Sequence, residues 1–349
     1  MERSVETSQF ADIKEPGEVK ETPGFEFEKT EYSEQFVTEA NEIAKAIERD
    51  KPVLLDQVLK LREALEKMVE SDPKVEAKRL FGEGYMGPDE IEAHFTVQDE
   101  NGNVEKLFEY TPEEKEKINQ MLREKLDDPQ IKDLIRRTPK EELREKFQLF
   151  LFPDKFKDGM PVTMKSLNER FQPEMTRRGL GKLFVGDVTE SWYAKVEEPF
   201  FISDSAKKLE WKLVSRGNIE GSYNHDAFDE TRILREFLTV NNLATTEELA
   251  EAWNGKLDAL RQLQLTDVKD AARQLSELKI NQNYRMDPLQ VIFLHAMQKS
   301  FLGNNYTRTA KLSSDGRLVD VGRCSAGGAG VRTAFLVNFS GILGVSFSI

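Results

Sequence analysis

From Asp287 onward the hydrophobic period changes, and this change limits the folds open to the chain more than any other feature. Asp287 and Pro288 supply an N-cap and a first-turn proline. The run Leu289-Gln290-Val291-Ile292-Phe293-Leu294-His295-Ala296-Met297 follows, the most apolar helical stretch in the sequence, and it reads as helix to Gly303. A helix that is apolar all round has to be buried. After Gly303 the helical period stops, and short strand patterns punctuated by glycine take its place. They run Tyr306-Thr307-Arg308-Thr309, then Gly316-Arg317-Leu318-Val319-Asp320-Val321-Gly322, Gly328-Ala329-Gly330-Val331 and Leu343-Gly344-Val345. The expectation is an α+β fold in which this helix packs on a small twisted sheet.

Composition shifts within the same stretch. Lys, Glu, Gln, Met and Trp occur 29, 42, 14, 9 and 3 times, every one at or before Lys311, and the 38 residues from Leu312 to Ile349 contain none. At their upstream frequency about twelve would be expected there, so the departure from average usage needs a cause. Gly moves the other way, with 7 of its 21 copies in those 38 residues. A β-rich segment accounts for the loss of Lys, Glu and Gln, which are poor strand formers. It does not account for Trp, which strands favour.

Upstream the pattern is helical and acidic. Residues 1–32 hold nine acids, four bases and two prolines without apolar periodicity and read as a disordered acidic tail. Helices are expected from Ser33 to Asp50 and from Pro52 to about Ser71. Residues 91–110 alternate around Asn101-Gly102 and read as a β-hairpin, with His94 on its polar face. Thr111-Pro112-Glu113-Glu114, Thr138-Pro139-Lys140-Glu141 and Thr245-Thr246-Glu247-Glu248 are helix starts with capping boxes. Residues 150–222 read as irregular, with strand candidates at Phe200–Ser203 and Leu209–Val214. Asn224 to Asn241 is helical, and two more helices start near Thr246 and Thr266. Three regions follow: the tail 1–32, a mainly helical domain over 33–190, and a domain over 191–349 that ends in the segment 312–349.

Charge and motifs exclude several functions. Lys+Arg 50 against Asp+Glu 63 leaves a formal charge of −13, which argues against a general nucleic-acid or anionic-membrane binder. One cysteine permits no internal disulfide, and three histidines leave little for a zinc site. No apolar run reaches the roughly 18 residues of a spanning helix. The first residues carry no apolar signal core, so a soluble, cytoplasmic chain is expected, with non-standard export left open. Gly179-Leu180-Gly181 lacks the third glycine and the flanking elements of a dinucleotide site. Asn224-His225-Asp226 sits where a helix begins and reads as its cap. His295 reads as a hydrogen-bonded core histidine, and Cys324 has no candidate base near it. No enzyme activity, cofactor or metal is expected.

The strand patterns and the run Trp211-Lys212-Leu213-Val214-Ser215 to Asn218-Ile219-Glu220-Gly221-Ser222-Tyr223-Asn224 resemble the C-type-lectin-like domain of variable proteins diversified by retroelements in small-genome uncultured bacteria. In that family, adenines of a template repeat are rewritten during reverse transcription, so AAC codons become NNC. NNC encodes none of Lys, Glu, Gln, Met and Trp, the same five types absent after Lys311. Family members often keep a tryptophan here, whereas this chain has Phe335 or a neighbour in its place. The resemblance implies a ligand-binding protein with an unknown protein or surface ligand. Its frame would comprise Gly316, Leu318, Val319, Val321, Gly322, Gly328, Val331, Leu343, Gly344, Val345 and Phe347. Its exchangeable surface would comprise Arg323, Cys324, Ser325, Ala326, Gly330, Arg332, Thr333, Phe335, Val337, Asn338, Phe339, Ser340 and Ile342, with Leu336 buried between them. The competing readings are a helical scaffold or adaptor that holds a protein partner, and an enzyme of the formylglycine-generating branch of the same fold. The latter suits a chain with a single cysteine least.

Overall fold

Caps decide where the helices start. In the computed structural model, which describes residues 72–223, 225–297, 306–325, 328–334, 336, 343–344 and 348–349, the Asp72 carboxylate accepts from the Lys74 N–H and opens α1 (Pro73–Phe81). After β1 (Tyr85–Met86), Glu90 reaches back to the Gly87 N–H at 3.0 Å and starts α2 (Pro88–His94). A short hairpin, β2 (Thr96–Gln98) and β3 (Val104–Lys106), follows around Asn101-Gly102. Thr111 and Glu114 form the expected reciprocal box on α3 (Pro112–Asp127), satisfying two end N–H groups. Asp128 caps α4 (Pro129–Arg137). Thr138 does not cap the next helix, α5 (Lys140–Lys146); it closes α4, its N–H bonded to Leu134 O. The acidic tail and the two helices expected before residue 72 lie outside the described residues.

The next strand, β4 (Phe147–Phe152), is buried along its whole length. It pairs in parallel with β1 and antiparallel with β5 (Glu210–Ser215), in the order β1-β4-β5. Between β4 and β5 lie α6 (Met164–Arg177), α7 (Trp192–Lys195) and α8 (Pro199–Ile202). Then come α9 (Ala227–Val240), α10 (Thr246–Glu251), α11 (Asn254–Leu263), α12 (Val268–Glu277), α13 (Lys279–Tyr284) and α14 (Pro288–Met297). The last strands are β6 (Tyr306–Leu312), β7 (Leu318–Ser325), β8 (Gly328–Ala334) and β9 (Leu343–Gly344), in a second sheet ordered β8-β7-β6-β9.

Several expectations change. Ile91–His94 is helical, so the hairpin starts only at Thr96; Pro88 and the Gly87–Glu90 cap outweigh the alternating pattern. His94 is half-buried, and its Nε2 lies 2.7 Å from Ala296 O. Residues 164–177 are helical despite Pro173, and Phe200–Ile202 is a helical turn opened by Pro199. Strands β4 and β5 pair across residues 190–191. Two compact units make up the chain, Met1–Lys67, outside the described residues, and Met68–Ile349. His295 is buried as expected, with Nε2 3.2 Å from Lys182 O.

Every described residue of α14 from Pro288 to Ala296 is buried. On one side the Phe293 ring sits 6.2 and 5.7 Å from Phe150 and Phe152 of β4, and 5.0 Å from Phe95. The helix also packs against β7 of the second sheet. The chain end returns to the first sheet: Leu213 and Ile349 exchange N–H to O=C bonds at 2.9 Å each way. We predict that Phe293→Ala lowers unfolding free energy by about 3–5 kcal/mol, the cost of a large cavity. Val104→Ala, at an exposed hairpin position, should stay within about 0.5 kcal/mol. Urea denaturation of both variants checks this, and equal losses would show that α14 is not the shared core.

Candidate functional site

The second sheet starts with a tight turn that its sequence specifies. Ser313 donates its N–H to Arg317 O at 2.8 Å, and Gly316 takes φ +82°, a conformation side chains rarely adopt. The Glu198 carboxylate accepts from the Ser314 N–H at 2.8 Å and from its hydroxyl at 2.7 Å, which ties the turn to α8. Lys311 Nζ pairs with Asp204 at 2.7 Å. The β6 side of the turn is thus anchored twice to residues upstream of 205.

Strand register sets what each face carries. Arg308, Asp320 and Arg332 are directly opposed on β6, β7 and β8, and Tyr306, Gly322 and Gly330 form the next row on the same face. The intervening residues Val319 and Val321 face the other way and are fully buried. Arg308 Nε lies 3.4 Å from Asp320 Oδ1, and its Nη1 lies 3.4 Å from Glu230 Oε2 of α9. Glu230 also meets Arg285 Nη1 at 3.3 Å. Arg332 Nε stands 3.4 Å from Asp320 Oδ2, and its guanidinium lies 4.1 Å from the Tyr306 ring centre. The side chains therefore form a ladder of alternating sign: Arg285, Glu230, Arg308, Asp320, Arg332.

Four members of this ladder have at most 2% of their side chain exposed. Burial pushes the Glu230 carboxyl up to about 7, against the pull of Arg308 and Arg285, and Asp320 reinforces the rise. Burial raises Asp320 as well, while Arg308 and Arg332 oppose it. Such a cluster adds little net stability over apolar packing, yet losing one member is costly because the others stay buried without a partner. Arg285 is the best satisfied: its Nε donates to Asn281 Oδ1 at 2.7 Å and its Nη2 to Thr231 Oγ1 at 3.1 Å. The ladder binds the sheet to the helices and is structural; it offers no substrate access.

The expected frame and the expected surface separate unevenly. Val321, Gly322 and Gly328 are buried, and Val331 is half-buried against the core. A Cβ at Gly328 would overlap the Phe184 backbone, because Phe184 bridges Ala329 in parallel while Val185 N–H donates to Ala329 O at 3.0 Å. At Gly330, expected at the exchangeable surface, a Cβ would overlap the Tyr306 hydroxyl. Arg332 belongs to the ladder, and Thr333 is half-buried on β8. Arg323, Cys324 and Ser325 form the end of β7. Leu336 is buried and its carbonyl accepts the Ala227 N–H at 2.8 Å. Gly344 lies in β9, parallel to β6, with Thr307 as its partner. Ala326, Phe335, Val337, Asn338, Phe339, Ser340, Ile342, Val345 and Phe347 lie outside the described residues.

The ladder went unread in the sequence, although one signal was present. Asp320 stands in an apolar strand, with an arginine at the matching strand phase on either side. Gly179 and Gly181 both take positive φ just after α6, at the helix exit. Asp226 caps α9 as expected, accepting from the Phe228 and Asp229 N–H groups. Among the described residues no group of three or more His, Cys, Asp or Glu is placed to hold a metal ion, and no helix is long and apolar enough to cross a membrane. No family model, curated protein or solved structure matches the chain.

Removing Asp320 leaves Glu230 as the one carboxylate between the buried Arg308 and Arg285, so Asp320→Ala should cost about 3–5 kcal/mol. Arg332→Ala, at the solvent end, should cost about 1 kcal/mol through lost contact with Tyr306. Gly330→Ala should exceed Arg332→Ala. Chemical denaturation ranks the three, and a harmless Asp320→Ala would refute the ladder as a buried unit.

Proposed function

We propose that this is a non-enzymatic ligand-binding protein whose C-terminal surface is diversified by adenine-directed retroelement mutagenesis on a C-type-lectin-like frame. One observation carries the reading: the five residue types missing after Lys311 are the five that NNC codons cannot encode. Strand composition alone leaves the absence of Trp unexplained. The architecture supports the reading in a second way. Diversified binding needs a rigid frame with exchangeable contacts at its margins. Here buried glycines, the ladder and the turn held by Glu198 provide such a frame.

The exchangeable set is then narrower than the resemblance implies. It comprises Arg323, Cys324, Ser325, Ala326, Thr333, Phe335, Val337, Asn338, Phe339, Ser340 and Ile342. Gly330 is removed because Tyr306 fills the space a side chain needs, and Arg332 because it ends the ladder.

Sequencing this locus from many cells of one population tests the proposal. Differences should cluster between about Arg323 and Ile342, spare Gly330, and avoid Lys, Glu, Gln, Met and Trp. A reverse transcriptase gene and a near-copy repeat should lie beside the 3′ end. Differences scattered evenly along the chain would leave the adaptor reading in its place.

A further inference from the structure

The turn between β6 and β7 forms one wall of a cleft of about 150 Å³. Val268, Lys269 and Ala272 of α12 form the opposite wall, Leu336 closes one side, and Asp315 and Arg317 stand at the rim. An apolar space of about this volume accepts one benzene-sized group. Val268, Ala272 and Leu336 present hydrocarbon, and Val268 is 39% exposed, so the space opens to solvent.

Charge narrows the chemistry further. Lys269 and Arg317 against Asp315 leave one excess positive charge at the rim. The Asp315 carboxylate is already engaged: Oδ1 accepts from the Ser313 hydroxyl at 2.5 Å, and Oδ2 pairs with Arg317 Nε at 3.0 Å. A positive rim over an apolar floor recognises an amphipathic anion.

We propose that this cleft binds an aromatic or branched aliphatic group that carries a carboxylate. The hydrocarbon sits on Val268, Ala272 and Leu336, and the carboxylate faces Lys269 and Arg317. This deepens the ligand-binding reading and rests on it, since Leu336 stands between exchangeable positions 335 and 337. A fixed anchor for one ligand group thus lies beside the contacts that change. The same chemistry occurs in a free aromatic acid and in a peptide that ends in phenylalanine.

Titration of the full chain with 3-phenylpropionate, 3-phenylpropanol and N-acetylglycyl-phenylalanine, followed by calorimetry and amide NMR, tests the site. Phenylpropionate should bind saturably with Kd of about 1 mM, at least tenfold tighter than the alcohol, and more weakly at high salt. Lys269→Glu should weaken it at least tenfold. Val268→Trp should fill the space and abolish binding; both positions are exposed, and an unchanged melting temperature verifies the fold. Tighter binding of the acetylated dipeptide points to a peptide terminus, and tighter binding of phenylpropionate to a free acid. No saturable binding, equal binding of the alcohol, or binding indifferent to Val268→Trp overturns the site. Locus sequencing is independent of these titrations, so failure of the cleft and failure of diversification are separable.

Discussion

The burial of α14 is the constraint on which the rest of the unit depends. A helix with no polar face cannot lie at a surface, so both sides must be covered. The first sheet covers one side through Phe150 and Phe152, and the second sheet covers another through β7. This explains why segments far apart in the chain share one core, and why Ser348 and Ile349 return to β5.

The ladder acts on specificity where α14 acts on stability. A one-residue slip of β7 would move Asp320 to the opposite face and bring Val319 and Val321 among the arginines. The misregistered sheet would leave the buried Arg308 and Arg285 sharing Glu230 as their one carboxylate, at several kcal/mol. Hydrophobic pattern alone would penalise the slip less sharply, because glycines punctuate these strands. The alternating charges therefore hold one register from Tyr306 to Arg332.

Parts of this were legible from local chemistry. The Thr111–Glu114 and Thr245–Glu248 boxes, the Asp226 cap and the buried helix after Asp287 depend on residues within a few positions of one another. Errors fell where a local pattern had two readings. Ile91-Glu92-Ala93-His94 alternates like a strand, yet Pro88 and the Gly87–Glu90 cap make it a helix. Pro173 suggested a break, but α6 runs through it with Phe171 and Met175 buried. Thr138 matched a capping box and instead ended the preceding helix.

By itself the sequence determined the α+β character, the burial of α14 and the loss of Lys, Glu, Gln, Met and Trp after Lys311. These follow from residue type and short spacing, which the chain states directly. Only the tertiary structure decided that Arg285, Glu230, Arg308, Asp320 and Arg332 meet, that Tyr306 occupies the space over Gly330, and that α12 walls a cleft beside Leu336. Those contacts join side chains as far apart in sequence as Glu230 and Arg308. Their pairing depends on strand register and helix packing, which no local pattern encodes.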